Sequence, residues 1–427
     1  MKPTSNALLI ITEDSPESYS PAGERIRHLA LACSSRFQNV SVLALGANKR
    51  GKETQRAFKS PVTLYSIGFS RAVPFPFDGF FDPVKMLMFA VHGFSICRRI
   101  KPSYILASTP PLETSASAWF LSKLLNIELI IDLRDDWESS VGTQLKRYFP
   151  SSLLRLVSRV AGKIYSSAVA ILSVTQTIIE TILRRGIQTQ LFLIPNGADT
   201  NVFQPLPKRN QTKVRLECSL PLDKIIVVYC GSGVNPYYRL DLVFSSISLI
   251  PKNALRKLFF VFYVYNGLNS LEELKRRLKI QDNSAEVRSP LPRNQLAKVL
   301  SSCDVGLVPF DAKSYLLCAR STKMYEYLSA GLFVISSGPT GGELDSFFSE
   351  NPDLGLFTLP SASNFVRILL QVAAKHENLF KDDSRELRYA FIRKNYDRQN
   401  MMKKALDTLF AITKESEKAA PPSEEKA

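Results

Sequence analysis

Histidine and paired cysteine are scarce in this sequence. The three histidines, His28, His92 and His376, stand too far apart for HExxH or another local metal motif. The cysteines form no CxxC pair, which argues against a disulfide framework or structural zinc site and favours a reducing compartment. They are Cys33, Cys97, Cys218, Cys230, Cys303 and Cys318. We therefore expect neither a bound metal ion nor a cofactor.

Long hydrophobic runs are also missing. A membrane-spanning helix needs about 20 consecutive apolar residues, and the most apolar stretches, residues 86–94 and 112–125, are too short or carry charges. Residues 1–6 lack the charged region and apolar run of a secretory signal. These absences predict a cytoplasmic protein that can at most be peripheral at the inner face of a membrane.

The residues that are present describe a large, basic, globular chain. Its 427 residues suggest two or three domains, and its 45% hydrophobic and 22% charged residues are typical of a folded protein. With 55 lysines and arginines against 39 aspartates and glutamates, the net charge of +16 favours anionic partners. No helix-turn-helix, RNP or zinc motif accompanies this charge, so we do not expect nucleic acid as a partner.

Short apolar runs alternate with segments of helical spacing along most of the chain. The apolar runs are residues 7–11, 40–45, 62–67, 104–107, 129–131, 171–174, 191–194, 225–229, 258–264, 304–308, 333–335 and 356–359. Continuous apolar strands separated by helices are typical of a parallel sheet that is covered on both faces. The sequence therefore predicts an α/β protein of two tandem, doubly wound, Rossmann-like domains that face each other across a cleft.

The domain boundaries follow from a break in this rhythm. The polar, basic segment 205–223 contains three prolines and is predicted to link the domains. The first domain is then residues 1–204 and the second residues 224–383. Helices are expected at 384–413, and the charged tail 414–427 is expected to be disordered.

Ligands of open α/β sheets bind outside the carboxyl ends of the strands. Gly231, Ser232 and Gly233 follow one predicted strand, where glycine lets the backbone approach a ligand or merely makes the turn. Residues 336–343, which contain Gly338, Gly341, Gly342 and Glu343, follow another strand, and their amides can contact phosphate or hydroxyl groups. A flexible connector explains that glycine-rich loop equally well.

The segment 320–331 is the strongest candidate site. Ser321 is suited to cap a helix whose first amides and positive dipole end would face an anion. Arg320 and Lys323 add positive charge there, and the carboxylate of Glu326 suits a ribose diol. An ordinary amphipathic helix with a surface Lys–Glu pair is the alternative interpretation.

Three further strand ends lie in the first domain. Residues 132–137 place three acids and an arginine after a buried strand, where charges are costly unless they are solvated, paired or functional. An internal Arg–Asp salt bridge explains the same residues. Residues 21–25 open the first long helix, and residues 108–111 cap another strand end.

Four segments together resemble retaining glycosyltransferases of family four, which have the two-domain GT-B fold. Residues 20–25 (SPAGER) resemble a helix start near their N-terminus, and residues 131–137 (IDLRDDW) resemble their D-x-R-D-x-W segment. The most specific matches are residues 194–203 (IPNGADTNVF) with IPNG-x-D-x-x-x-F and residues 321–331 (STKMYEYLSAG) with P-x-K-x-x-E-Y-L-A-x-G. The resemblance spans roughly residues 7–373 and implies that the C-terminal helices pack back on the first domain.

The resemblance implies a nucleotide-sugar donor on the second domain and an acceptor on the first. The donor-binding residues it implies are Gly231, Ser232, Gly233, Arg239, Arg320, Ser321, Lys323, Glu326, Gly341, Gly342 and Glu343, and the acceptor-side residues are Gly23, Glu24, Arg25 and Ser108. Glu326 corresponds to the second glutamate of the family's E-x7-E motif, which holds the donor ribose. The first glutamate falls at Cys318, an arginine of the family at Ser232, and a proline at Ser321.

The resemblance also implies the chemistry. A sugar would move to an acceptor hydroxyl with retention, by attack on the same face, while the departing phosphate takes the acceptor proton. The helix start at Ser321, with Arg320 and Lys323, would stabilise the leaving diphosphate in place of a metal. We assign Arg134 and Asp135 to positioning the acceptor or the transferred sugar. With Glu326, they are the expected catalytic residues of an enzyme in polysaccharide or glycolipid biosynthesis.

Two regions suggest a membrane surface. Residues 72–94 are unusually aromatic, and Arg155, Arg159 and Lys163 form a basic stripe spaced by four residues. A basic stripe near an aromatic surface suits an anionic bilayer that carries a lipid-linked acceptor. A core helix and a solvated charged face explain the same residues. The expected partners are thus a nucleotide-sugar, a carbohydrate or lipid-linked acceptor and an anionic membrane surface.

Two other functions remain open. A sugar-nucleotide epimerase shares the two-domain architecture, but it would need acids and a histidine around the donor, and no histidine lies in the donor-side motifs. A non-catalytic protein with a degenerate donor site is favoured by Cys318 and Ser232. Lys323, Glu326 and the Asn196-Gly197 pair argue against it.

Overall fold

The computed structural model describes residues 6–18, 20–46, 53–58, 62–68, 82–138, 150–375 and 379–419, with backbone alone for 53–58 and 412–419. The chain divides into two compact units, residues 1–195 with 399–427, and residues 196–398. The structural boundary thus falls before Asn196, and not after residue 204. The predicted aromatic positions Phe75, Phe77, Phe80 and Phe81, together with His376, lie outside the described residues.

The first unit is a sheet with helices on its faces. Its strands are β1 (Ala7–Ile11), β2 (Asn39–Gly46), β3 (Glu53–Phe58), β4 (Val62–Gly68), β5 (Tyr104–Thr109), β6 (Glu128–Leu133), β7 (Ala170–Ser173) and β8 (Gln190–Leu193). Its helices are α1 (Pro21–Cys33), α2 (Pro83–Ile100), α3 (Leu112–Leu125), α4 (Ser151–Ser166) and α5 (Gln176–Arg184). Over the described residues the strand order is β3-β4-β2-β1-β5-β6-β7-β8, with all pairs parallel except β3–β4.

The second unit repeats the pattern with a smaller sheet. Its strands are β9 (Ile225–Gly231), β10 (Leu258–Val264), β11 (Ala285–Arg288), β12 (Val305–Pro309), β13 (Phe333–Ser337) and β14 (Gly355–Thr358). Its helices are α6 (Lys208–Glu217), α7 (Leu240–Leu249), α8 (Lys252–Leu255), α9 (Leu268–Arg277), α10 (Arg293–Ser302), α11 (Thr322–Ser329), α12 (Glu343–Glu350), α13 (Ala362–Ala374) and α14 (Asp382–Asn395). The strand order β11-β10-β9-β12-β13-β14 is that of a doubly wound nucleotide-binding sheet.

The cores follow the apolar runs of the sequence. In each unit the central strands are buried along almost their whole length, as a parallel sheet covered on both faces requires. The predicted α/β architecture of two Rossmann-like domains is therefore confirmed in each unit. Strands β3 and β11, which the apolar pattern did not predict, are edge strands.

The segment predicted to be a linker contains helix α6. Its Arg215 is buried and its guanidinium pairs with the Asp304 carboxylate at 2.7 Å, while its Nε donates to the Ser302 carbonyl at 2.8 Å. Two of the three buried residues of this helix, Gln211 and Arg215, are polar, so the helix shows little apolar periodicity. The segment was therefore predicted to be a linker.

The last helix, α15 (Arg398–Ala419), supplies core residues to the first unit. Its buried apolar residues are Met402, Leu406, Leu409 and Phe410, which join a core cluster that includes Leu8 and Ile10 of β1. The ring of Phe410 lies 4.9 Å from that of Phe37. Helix α14 instead packs in the second unit through Ile392. Residues 414–419 of the predicted disordered tail are helical, and residues 420–427 lie outside the described residues.

The two ends of the second unit are bonded to each other. Buried Arg398 donates from Nε to the Asn196 carbonyl at 2.7 Å and from Nη2 to the Gly197 carbonyl at 2.8 Å. The Ala198 amide donates to the Tyr396 carbonyl at 3.0 Å. Asn196 and Gly197 of the IPNG segment, the first residues of this unit, are thus hydrogen-bonded to its last residue, Arg398.

Candidate active site

In the second unit, the site begins where the strand order reverses. Strands β9 and β12 are neighbours from which the chain winds in opposite directions, and ligands of such sheets bind outside this point. Gly231, Ser232 and Gly233 follow β9, and Phe310 and Asp311 follow β12. The predicted glycine loop therefore stands at the expected edge of the sheet, together with residues after β12 that were not predicted to be in the site.

Asn266 organises the glycine loop after β9. Its Oδ1 accepts from the Gly233 amide at 2.7 Å and lies 2.8 Å from the Ser232 hydroxyl. Ser232 is 3% exposed and its hydroxyl is bonded within the loop, so its side chain does not face a ligand. A Cβ at Gly233 would lie 2.4 Å from the Asn266 carbonyl oxygen, which explains why glycine stands there.

Lys323 brings a positive charge to this loop. Its Nζ lies 3.8 Å from the ring centroid of Tyr238, 4.4 Å from that of Tyr229, and 3.5 Å from the Tyr229 hydroxyl. Ammonium groups are stabilised over aromatic faces without losing their charge. No carboxylate in the described part of the chain lies within ion-pair distance of Lys323.

Gly231 makes room for this arrangement. Its φ of +151° favours glycine, and a Cβ there would lie 2.7 Å from the Lys323 Nζ. Tyr238 is in turn fixed by Phe310, whose ring stacks on it at 5.0 Å and 19°. The Lys323 ammonium, two tyrosine rings and the glycine loop form what we call the lysine cage (Gly231, Tyr229, Tyr238 and Lys323).

Helix α11 places Lys323 in its first turn. Ser321 stands at the N-cap with φ −65° and ψ 134°, as predicted, but its side chain makes no capping bond. The helix start therefore keeps the positive end of its dipole beside the Lys323 charge. Both features favour an anionic ligand.

Arg320 and Glu343 are paired with each other. Arg320 Nη2 donates to Glu343 Oε2 at 2.6 Å, and its guanidinium lies 5.1 Å from the Phe347 ring centroid. Glu343 is 6% exposed. The pair joins the loop before α11 to the start of α12, so the charge of Arg320 is already balanced within the protein.

The glycines before α12 have distinct structural roles. Gly341 has φ +72°, which favours glycine, and its amide donates to Asp345 Oδ2 at 2.8 Å. Gly342 is the N-cap residue of α12, and a Cβ there would lie 3.1 Å from the Leu317 carbonyl oxygen. The predicted flexible or phosphate-binding loop is thus partly the start of a helix that the sequence analysis missed.

Glu326 lies on α11 between two arginines. Its Oε1 is 3.5 Å from Arg293 Nη1 and 3.9 Å from Arg398 Nη2. Arg398 also donates to the Asn196 and Gly197 carbonyls, so Glu326 lies next to the arginine that joins the two ends of the unit. This arrangement adds a structural role to the predicted ribose contact.

Arg239 is occupied by acidic neighbours. It forms hydrogen bonds to both Asp241 oxygens, at 2.8 and 2.9 Å, and lies 3.4 Å from Asp311. The position of Cys318, where the family has a glutamate, is buried. The lysine cage is therefore the cationic feature of this edge that is not already balanced by an acid among the described residues.

In the first unit, the predicted acceptor-side residues form a buried ion-pair network. Arg25 donates from Nη2 and Nε to Asp132 Oδ1 at 2.7 and 3.0 Å, and from Nη1 to the Ile194 carbonyl at 2.9 Å. Ser108 donates to Asp132 Oδ2 at 2.9 Å. Arg25 is 2% exposed and Asp132 is fully buried, so these groups join α1, β5 and β6 and do not face solvent.

The start of α1 is similarly closed. Gly23 donates its amide to the Ser20 hydroxyl at 3.0 Å, and a Cβ on Gly23 would lie 2.2 Å from Ser18 Oγ. Glu24 is 1% exposed, forms a short ion pair with Arg27 and lies 3.8 Å from His28 Nε2. Gly23 therefore allows the close approach of Ser18, and the Glu24 side chain is too buried to contact an acceptor.

The loop after β6 contains the two predicted acceptor-positioning residues. Arg134 forms a short hydrogen bond to the Pro110 carbonyl and its Nη1 lies 3.7 Å from Asp14 Oδ2. Asp135 is more exposed than Asp132 three residues earlier, and desolvation by its surroundings raises the pKa of its carboxyl to about 6, although the Arg134 charge opposes the shift. Of the predicted first-unit residues, Asp135 alone combines exposure with a charge.

Sequence reasoning missed three residues that shape the donor side: Tyr229, Tyr238 and Asn266. The Tyr237-Tyr238 pair soon after the glycine loop was the available signal for an aromatic surface near a cation. Among the described residues, no cluster of three or more histidine, cysteine, aspartate or glutamate side chains could hold a metal ion. None of the described helices is both long enough and apolar enough to cross a bilayer.

Known proteins resemble both the sequence and the fold. Residues 22–197 match the family described as glycosyl transferase 4-like domain. A comparison with curated protein sequences finds no match.

Similar solved structures share the architecture along the whole chain. Sucrose-phosphate synthase from Thermosynechococcus elongatus has a TM-score of 0.77 at 16% identity, covering 96% of this chain and 99% of its own. A glycosyltransferase from Rickettsia africae has a TM-score of 0.69 at 14% identity, covering 96% and 99%. Anabaena HepE, solved with UDP-glucose, has a TM-score of 0.66 at 13% identity, covering 95% and 99%. The chain therefore has the GT-B fold, and its residues 22–197 match the glycosyl transferase 4-like domain.

Proposed function

We propose that this enzyme moves a sugar from a nucleoside diphosphate donor to an acceptor hydroxyl, and that the diphosphate binds at the lysine cage. The single observation that carries this proposal is the Lys323 ammonium, held 3.8 Å from the Tyr238 ring at the carboxyl end of β9 without an acidic partner among the described residues. A nearby cation and helix start provide what an anionic leaving group needs.

Donor chemistry is assigned to Lys323 in preference to Arg320. The Arg320 charge is balanced by Glu343 at 2.6 Å, whereas Lys323 has no acidic partner among the described residues and the Ser321 side chain makes no capping bond at the start of α11. Anabaena HepE was solved with UDP-glucose and with UDP, which supports a uridine diphosphate sugar as the first donor to test. Glu326 and the loop around Gly341 and Gly342 are proposed as further donor contacts.

The reaction proposed is metal-independent and retaining. The acceptor oxygen bonds to the anomeric carbon on the face from which the diphosphate leaves, the anomeric carbon–phosphate oxygen bond breaks, and the departing phosphate takes the hydroxyl proton. Exposed Asp135, with Arg134, is proposed to position the acceptor. A carbohydrate or lipid-linked acceptor in polysaccharide or glycolipid biosynthesis, at the cytoplasmic face of a membrane, completes the proposal.

A non-catalytic protein with a degenerate donor site is the second candidate. The inward Ser232 side chain and buried Cys318 favour it, because both stand where the family carries charged residues. For an epimerase the described residues offer no such observation: His28 lies in α1 and His92 in α2, both in the first unit, and His376 lies outside the described residues.

Thermal unfolding with UDP, GDP, ADP, CMP and dTDP tests the donor site. A ligand that binds the folded state at about 100 times its Kd stabilises it by about 2.7 kcal/mol. We expect one nucleoside diphosphate to raise the Tm, and Lys323→Ala and Glu326→Ala to reduce the shift. Lys298→Ala, an exposed lysine on α10, is the matched control.

Donor hydrolysis and sugar transfer then separate the two candidates. A nucleotide that raises the Tm, with no turnover of its sugar conjugates on any acceptor, favours the degenerate-site protein. If no nucleotide shifts the Tm of the folded protein, the lysine cage is not a donor site.

A further inference from the structure

Three neighbouring helices of the first unit expose large apolar side chains. Helix α2 packs along α3, and α3 packs against α4. The exposed residues are Val84, Leu87, Val91 and Phe94 on α2, Phe120 and Leu124 on α3, and Leu156 and Val160 on α4. We call this surface the three-helix face.

Helix α2 contributes a continuous ridge. The spacing of Val84, Leu87, Val91 and Phe94 places them on one side of the helix, over about 15 Å of its length. Their exposed fractions are 50, 62, 57 and 39%. The opposite side is buried, and Gly93 lets it approach α3 so closely that a Cβ there would lie 2.6 Å from a Leu121 methyl. The ridge is therefore not the face that holds the helix in the fold.

The exposed charges on these three described helices are all of one sign, and Lys85 of α2 is paired with Glu13 of the loop after β1. Helices α2 and α4 contain no acidic residue, and the one acid of α3, Glu113, is buried. Arg98 and Arg99 follow the ridge at the end of α2, and Lys123 stands between the exposed residues of α3. The exposed cations of α4 are Arg155, Arg159 and Lys163.

We propose that the three-helix face docks on an anionic lipid bilayer, with α2 and α4 lying in its interface. Apolar side chains beside arginine and lysine, with no exposed acid, are what such a surface binds: the apolar groups enter the acyl boundary and the cations meet lipid phosphates. This interaction rests on the membrane location in the proposed function and deepens it. It supplies a site for the membrane contact that the basic stripe of α4 alone could not define.

Co-sedimentation of the full chain with vesicles tests the proposal. Vesicles of phosphatidylcholine alone are compared with vesicles of equal parts phosphatidylcholine and phosphatidylglycerol. We expect at least about 10-fold stronger partitioning to the anionic vesicles, because each cation near the surface adds to binding. Raising the salt concentration is expected to weaken that preference, since it screens exposed charges.

Matched double variants separate the apolar and cationic parts. Leu87→Gln with Val91→Gln, and Arg155→Glu with Arg159→Glu, are each expected to lower partitioning by about 10-fold or more. The controls are Leu222→Gln with Leu249→Gln, and Arg276→Glu with Arg277→Glu, which make the same changes at exposed positions of the second unit. These controls are expected to bind as the wild type does.

Three results would overturn the proposal. They are no sedimentation with anionic vesicles, equal binding to neutral and anionic vesicles, and equal losses in the control variants. Self-association that the Leu87→Gln, Val91→Gln variant abolishes would show that a second copy covers the face instead. The nucleotide-induced rise in Tm, measured on the same variants, distinguishes these failures from a failure of the proposed function, because the lysine cage is unchanged.

Discussion

The carboxyl ends of the two sheets present charged residues in opposite ways. In the first unit, Arg25, Asp132 and Ser108 bond to one another and are buried. In the second unit, the Lys323 ammonium meets the rings of Tyr229 and Tyr238 and no described carboxylate. Both sets of residues occupy the edge where ligands of such folds bind. The charges of the first set neutralise each other and stabilise the fold. The charge of the second set has no acidic partner among the described residues and is available to a ligand.

The difference shows what a charged strand end can and cannot indicate. A buried arginine with a bidentate carboxylate partner stabilises the fold only because its partner is present. An ammonium over aromatic faces is held in place while its charge stays unneutralised. The partner of the charge, more than its position in the sheet, therefore separates a structural residue from a binding residue.

The largest expected effect is in the first unit. Asp132→Ala leaves Arg25 buried without its carboxylate, so we expect a loss of about 3–5 kcal/mol in the free energy of unfolding. Urea denaturation measures it. Asp135→Ala, at an exposed position in the same loop, is expected to change stability by less than about 0.5 kcal/mol. If the two substitutions change the free energy of unfolding equally, the buried ion pair of Arg25 and Asp132 is not what stabilises the first unit.

In the second unit, Lys323→Ala is expected to impair ligand binding and not stability, the reverse of Asp132→Ala. We expect little change in stability but a 10- to 100-fold loss of nucleoside diphosphate affinity, since charged hydrogen bonds contribute about 1.5–3 kcal/mol. Isothermal titration calorimetry measures the affinity. Lys298→Ala is the control for a lysine of ordinary exposure. A stability loss without an affinity loss would make Lys323 structural, like Arg25.

Glu113 gives the first unit a pH dependence. Burial, the largest cause, and the charge of Glu13 raise its pKa to about 7, although bonds to the Asp82 and Glu113 amides and the Lys85 charge oppose the shift. The folded state then binds a proton that the unfolded state has released, so stability falls as the pH rises from about 4.5 to about 7.

The expected loss across that window is about 3 kcal/mol, given 1.36 kcal/mol for each unit of pKa difference. Chemical denaturation at several pH values measures it. Glu113→Gln keeps an oxygen for the Asp82 amide and removes the titration, so its stability is expected to be flatter across the window and higher than the wild type at pH 8. An unchanged slope in this variant would assign the dependence to another group.

The smallest effect sharpens the role of the aromatic rings. Tyr238→Leu removes a ring from the lysine cage, and we expect a 2- to 10-fold loss of nucleotide affinity, since a cation–π contact contributes about 0.5–1 kcal/mol at exposed sites. Tyr238→Phe keeps the ring and is expected to bind as the wild type does. If the phenylalanine and leucine variants are equally weak, the ring faces do not position Lys323.

The backbone architecture could be predicted because apolar runs specify buried parallel strands directly. The observed bounds of β1 and β10 coincide with the apolar runs 7–11 and 258–264 of the sequence. The places of Lys323 and Ser321 at the start of a helix followed from the same reasoning, since capping residues and strand ends are local signals. The segments that were missed, β3, β11, α6 and α12, are polar or lie at edges, where apolar periodicity is weak.

The partners of the charged residues could not be predicted. Arg25 and Asp132 are 107 residues apart, and no local pattern joins them. The pairing of Arg320 with Glu343 and the approach of Tyr238 to Lys323 likewise depend on how loops from separate strands meet. The sequence identified which charges stand at strand ends, and tertiary contacts decided which of them are neutralised.

The apolar residues that α15 gives to the first unit have a consequence for synthesis on the ribosome. Met402, Leu406, Leu409 and Phe410 complete a core that begins with Leu8. The first unit therefore cannot finish this core until Phe410 has been translated. Residues 196–398 form one uninterrupted segment whose ends are fastened by Arg398, so they are complete earlier. Although domains generally fold in order from the N-terminus, here residues 196–398 are expected to fold first, while strand β1 waits for helix α15.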